Sequence, residues 1–140
     1  PVAPVRDRLD FARTVPMWPT RLQGGGVAFC ALATGPIFLA GAGGDGLQAE
    51  SIEALAPRSE EDADRRGRCR VLVEEARQAM PAETQRFWED IGLRAGPVAR
   101  SEALGLCLEL HQGGEFAEAE HPPTIWASLK LLRDALEDRR

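Results

Sequence analysis

Residues 27–46 read VAFCALATGPIFLAGAGGDG, the one long run in a chain of 140 residues with no charge before Asp45, and the core has to form around it. Residues 23–44 carry no charge at all, and a helix that spans a membrane needs only about 20 apolar residues. Seven of these residues are Gly and one is Pro, a composition for strand and turn rather than for a membrane helix.

Two readings of the run lead to different functions. In one, residues 27–33 and 37–40 are strands joined by the turn Thr34-Gly35-Pro36, giving a structural β-hairpin. In the other, Ile37 to Ala40 is a buried strand that runs into Gly41-Ala42-Gly43-Gly44-Asp45-Gly46. This loop matches G-x-G-x-x-G, with residues 47–56 as the helix that follows. Gly41, Gly43 and Gly46 would then let a nucleotide pyrophosphate approach the backbone. Residues 69–73 would be the second strand, ending at the acids Glu74 and Glu75. Against this, Glu74 lies well beyond the spacing of about 20 residues that the fingerprint expects for its acid. No further clear βαβ unit follows to complete a nucleotide crevice. The hairpin is the reading adopted, and no cofactor is expected.

The length fits one domain, 1–140, able to bury a core without a metal or a disulfide. Arginine outnumbers lysine sixteen to one, and Asn and Tyr are absent, the bias of a high-GC bacterial genome. A net charge of -5 argues against nucleic acid as a partner. Arg65, Arg66, Arg68 and Arg70 form the one basic cluster and read as a solvated helix face. Cys30, Cys69 and Cys107 are far apart, odd in number and set in apolar sequence, as buried thiols of a reducing cytosol are. With no apolar leader at the start of the chain, a cytoplasmic location and no membrane association are expected.

Taken in order, 1–23 is an N-terminal lid with a weak helix over 5–13 and Trp18 lying across the core. The Gly loop ends at 46, and a short helix follows over 47–56. Ser59, with Glu60, Glu61 and Asp62 behind it, opens a further helix whose apolar stripe is Cys69, Leu72, Val73, Ala76 and Met80. Pro81 starts the next, which turns Phe87, Trp88 and Ile91 inward, so that helices cover 59–95. Residues 101–120 fit either a second β-hairpin near 104–120 or a pair of helices, because Leu104, Leu106, Leu108 and Leu110 alternate while Leu and Ala favour helix. The C-terminal amphipathic helix, 124–139, places Ile125, Leu129, Leu132 and Leu136 on one stripe that docks on the core. The fold expected is α+β, an N-terminal β-hairpin packed against four to five helices.

Chemistry-bearing residues are few. Two histidines and no C-x-x-C or H-x-x-x-H give no metal spacing. Cys107 and His111 share a side in helix or strand and are the minimum for a thiol nucleophile, with Glu109 or Glu118 to orient the imidazole. The C-terminal helix carries more apolar surface than one core can bury, so Trp126 and Leu131, with Trp18, are candidates for a partner surface. These features favour a small binding or regulatory protein acting through a protein partner or a second copy: an adaptor, chaperone or immunity-type inhibitor without catalysis of its own. A nucleotide-binding protein using the Gly loop is the alternative, and a thiol enzyme using Cys107 and His111 is the third reading.

Overall fold

A computed structural model describes residues 5–41, 47–113 and 122–137. The fold is α+β, with an N-terminal hairpin and a C-terminal helix as expected, and with a small parallel sheet that was not expected. The strands that form the hairpin are not those expected. Helix α1 (Val5–Thr14) leads into β1 (Trp18–Arg21), which pairs antiparallel with β2 (Val27–Cys30). The chain reverses at Gly24, Gly25 and Gly26, all in the positive-φ region that costs glycine little. Trp18 therefore belongs to a strand rather than to an extended lid, and the partner of β2 precedes it in sequence.

Beyond β2 the chain does not turn back at Thr34-Gly35-Pro36. A 3-10 turn, Leu32–Thr34, carries it to β3 (Ile37–Phe38), the centre of a parallel sheet ordered β4-β3-β5. Strand β4 (Arg70–Val71) and strand β5 (Leu93–Arg94) both pair with Ile37 and Phe38. One antiparallel bridge, Thr20 to Leu72, ties the hairpin to β4. The run Ile37-Phe38-Leu39 is wholly apolar because both faces of this sheet are covered. Phe38 and Val71 pack with Leu55, Leu106, Leu110 and Leu131. Ile37, Leu39 and Leu72 pack the other way, with Trp18, Leu93, Trp88 and Ile91.

Helix α2 (Ala49–Leu55) fills the expected 47–56 segment, and α4 (Ala82–Asp90) follows Pro81 as expected. Trp88 and Ile91 are half-buried, whereas Phe87 stays exposed. The single helix expected from Ser59 onward is replaced by a one-turn 3-10 segment, Asp62–Asp64, then β4, then a short α3 (Glu74–Ala79). Helix α5 (Arg100–Gln112) decides 104–112 against a second hairpin, while 114–120 lie outside the described residues. Helix α6 (Pro122–Glu137) closes the fold.

The helix from Ser59 fails because two of the four arginines read as a solvated face, Arg68 and Arg70, are the largest fully buried side chains among the described residues, while Arg66 stays exposed. Arg68 Nε lies 2.8 Å from Asp62 Oδ2, and its Nη1 donates to Thr124 Oγ1 at 3.2 Å. Arg58 holds the same carboxylate through its backbone N–H at 3.0 Å and its Nε at 3.2 Å. Arg70 donates to the carbonyls of Ala63 at 2.7 Å, Arg65 at 2.8 Å and Arg68 at 3.4 Å, so its fork gathers the irregular segment around itself. Gly67, at φ +93°, lies flat on α5, where a Cβ would come within 2.6 Å of Leu110 N and 2.7 Å of Leu106 O.

Burial would push the Asp62 carboxyl up, but the Arg58 N–H, the Arg58 guanidinium and the Arg68 charge outweigh it and hold the group below its usual range. The stabilisation this gives is complete above about pH 4, where the unfolded carboxyl also ionises, and is lost as pH falls through the lower folded value. Acid titration followed by circular dichroism should show a loss of stability below pH 4 that Asp62→Asn lacks. That variant leaves Arg68 buried without its counter-charge, and urea unfolding at neutral pH should show a loss of about 3–5 kcal/mol.

Candidate functional site

Helix α6 docks through its small and polar side. Thr124, Ala127, Ser128 and Leu131 are buried; Thr124 Oγ1 donates to the Ala54 carbonyl of α2 at 2.8 Å, and Ser128 Oγ donates to Thr124 O at 2.9 Å. At 100° per residue these four lie on one stripe. The leucine stripe expected to dock on the core lies about a third of a turn away and faces water. Leu129 is 49% exposed, Leu132 48% and Leu136 63%, with Ile125 half-buried at its near end and Trp126 69% exposed beside it. The orientation is corrected for a physical reason: Arg68 and the Ala54 carbonyl demand a hydroxyl, which only the Thr124 face supplies.

The three residues expected on a partner surface therefore separate. Trp126 is exposed, but Leu131 is 2% exposed and belongs to the core, and Trp18 is 4% exposed and packs edge-to-face on Trp88 at 5.0 Å. Leu129, Leu132 and Leu136 take their place. The 4-3-4 spacing had marked these leucines as an apolar face; which way they point depends on buried Arg68, remote in sequence.

All three thiols are buried, as expected. Burial pushes the Cys69 thiol up to about 12. Burial also raises Cys107, against a smaller opposing hydrogen bond from Ser128. Cys107 packs in the core with Leu106 and Leu110, while His111, one turn on, is exposed. Glu109 lies 3.5 Å from Arg66. This is the setting of an inert thiol rather than of a nucleophile activated by imidazole. Glu118 lies outside the described residues.

Gly41 follows β3, and its carbonyl accepts from Val98 N at 2.9 Å. Gly43 and Gly46 lie outside the described residues. Other elements of the nucleotide reading are present: β3 is a buried strand, β4 is its parallel neighbour, α2 lies between them in sequence, and Glu74 and Glu75 follow β4. Beside them a cleft of roughly 480 Å³ opens between the hairpin turn, α2 and the start of α3. Arg21 and Glu53, which line it, carry no local sequence signal, because the Thr20 to Leu72 bridge and the packing of α2 are what bring them there. Among the described residues no group of three His, Cys, Asp or Glu side chains is placed to hold a metal, and no helix is long and apolar enough to cross a membrane.

No family model, no curated protein and no solved structure matches this chain.

Two measurements check these placements. Leu131→Glu should cost the isolated protein more than about 2 kcal/mol in chemical denaturation, because it puts a carboxylate into the core. A mild thiol reagent should modify none of Cys30, Cys69 and Cys107 rapidly under native conditions, with labelling appearing on unfolding.

Proposed function

We propose that the protein is a binding or regulatory protein that acts through a protein partner docked on the solvent face of α6, rather than through chemistry of its own. The observation that supports this reading is the inversion of α6: its most regular apolar stripe is turned to water, with Trp126 alongside. Scattered single hydrophobics are normal on a surface, but a periodic row flanked by an exposed Trp has the form of an interface anchor. The row presents itself as an amphipathic helix would to another apolar helix.

Its spacing also reads the same in both directions. Ile125, Leu129, Leu132 and Leu136 are separated by four, three and four residues. An antiparallel pairing with a second copy would set Ile125 near the Leu136 of that copy, and Leu129 near its Leu132. It would also bring the exposed Arg133 towards the indole of the second Trp126, a cation–π contact. A self-complementary patch of this kind is what an isologous two-fold interface requires. A cytoplasmic, bacterial setting belongs to the same proposal, supported by the three unpaired thiols and the Arg-rich composition.

Sedimentation velocity over a concentration series tests the reading. The expected result is a concentration-dependent dimer that the double variant Leu129→Glu, Leu136→Glu abolishes, with the stability of the monomer unchanged to within about 0.5 kcal/mol, as for exposed sites. A dimer insensitive to the double variant, or a wild-type chain monomeric at millimolar concentration, would sink the assignment to a second copy.

A further inference from the structure

The cleft beside β4 is a separate place on the molecule, and its lining divides into three parts. The apolar wall is Ile52 from α2, Val71 from β4 and Val73, which precedes α3. The cation is Arg21, whose Nη2 lies 3.2 Å from where a Cβ on Gly41 would sit, so its guanidinium reaches the carboxyl end of β3. The carboxylates are Glu53 on α2 with Glu74 and Glu75 opening α3 just beyond the carboxyl end of β4, and Glu74 feels the charge of Arg21. Glu74 is occupied by Arg77 and Gln78. Arg21, Glu53 and Glu75 make no side-chain hydrogen bond and no ion pair with another described residue, and Arg21 and Glu53 are exposed at the mouth, as is Glu75.

The volume, roughly 480 Å³, is that of a small-molecule site, commonly about 300–1,000 Å³. Its position follows from topology. Strand β4 lies on one side of β3 and β5 on the other, so the order of the parallel strands reverses about β3. Parallel α/β sheets bind ligands outside the carboxyl ends of their strands at such a reversal. A cation at the end of the first strand suits a phosphate, through charge-assisted forked hydrogen bonds. A carboxylate after the second strand accepts from the two hydroxyls of a ribose, and the apolar wall takes the flat face of a base.

We infer that this cleft binds a nucleoside phosphate, with Arg21 on the phosphate, Glu75 and Glu53 on the ribose hydroxyls, and the base against Ile52, Val71 and Val73. One guanidinium among several carboxylates matches a ligand with one phosphate better than a triphosphate, whose further charges would face the acids. The ligand class is therefore a nucleoside monophosphate or the nucleoside half of a dinucleotide. This inference is independent of the docking face on α6, which involves none of these residues.

Isothermal titration of the full chain with AMP, adenosine and 2′-deoxy-AMP tests it. AMP should bind saturably at micromolar to millimolar concentration, and deoxy-AMP at least several-fold more weakly. Arg21→Ala should weaken AMP about tenfold or more while leaving adenosine unchanged, and Glu75→Gln should reduce the preference of ribose over deoxyribose. The four-way comparison separates loss of a contact from loss of fold, since a misfolded variant would lose adenosine as well. No heat with AMP or NAD at millimolar concentration, or AMP binding that Arg21→Ala leaves intact, would overturn the assignment. The double variant Leu129→Glu, Leu136→Glu should bind AMP as the wild type does, so that failure of one proposal is distinguishable from failure of the other.

Discussion

The carboxylate of Asp62, closed between Arg58 and Arg68 in the interior, is the contact on which the other parts of the structure lean. Removing these charges from water costs several kcal/mol per ion, which the close ion pairs and the hydrogen bonds around them offset. Here the contacts extend outward through Arg68 to Thr124, and from Thr124 to the last turn of α2. One chain of polar contacts thus joins the irregular segment, α2 and α6. It also sets the rotation of α6: with a hydroxyl required inside, Thr124, Ala127 and Ser128 go in and the leucines go out. The exposed apolar face is in this sense a product of a buried charge.

Arg70 plays a complementary part, with no ion pair to a carboxylate among the described residues. Its donors are spent on three carbonyls of the segment before β4, so a stretch with little regular structure has its backbone acceptors met from within. Gly35 belongs to the same device, since a Cβ there would stand 2.8 Å from the Arg70 guanidinium. With β4 delivered in register beside β3, Thr20 can bridge to Leu72, and Gln23 donates to the carbonyls of Ala54 and Ala56 at 2.9 Å each. The hairpin is then fixed over α2, and the cleft is the space left between them.

What could be read from the residues alone was whatever depends on near neighbours. The 3.6-residue periodicity of α6, the Pro81 start of α4, the short α2 and the apolar setting of the three cysteines are local facts, and each is present in the fold. The positions misread were those governed by distant partners. Cys69 to Val73 has the spacing of a helical stripe, yet the segment pairs with Phe38 and Pro19 as a strand, because the two arginines beside it are drawn inside. Ile37 to Ala40 looked like half of a hairpin because the parallel neighbours of β3 lie far along the chain and leave no turn signal between them. The candidate surface was half legible: Trp126 was marked, whereas the choice between Leu131 and Leu129 rested on a hydrogen bond from Arg68.

The parallel sheet also bears on how the molecule is made. Ile37 and Phe38 must wait for residue 70 and then for residue 93 before either edge of β3 is paired. Each strand contributes only two residues, so no single pairing repays the entropy of closing its loop. The order of events during synthesis follows: the hairpin forms early from neighbouring residues, and β3 stays an unpaired apolar segment until much of the chain has left the ribosome. High contact order of this kind places folding towards the slow end for small domains and leaves residues 37–39 as the stretch most exposed to wrong association in the meantime.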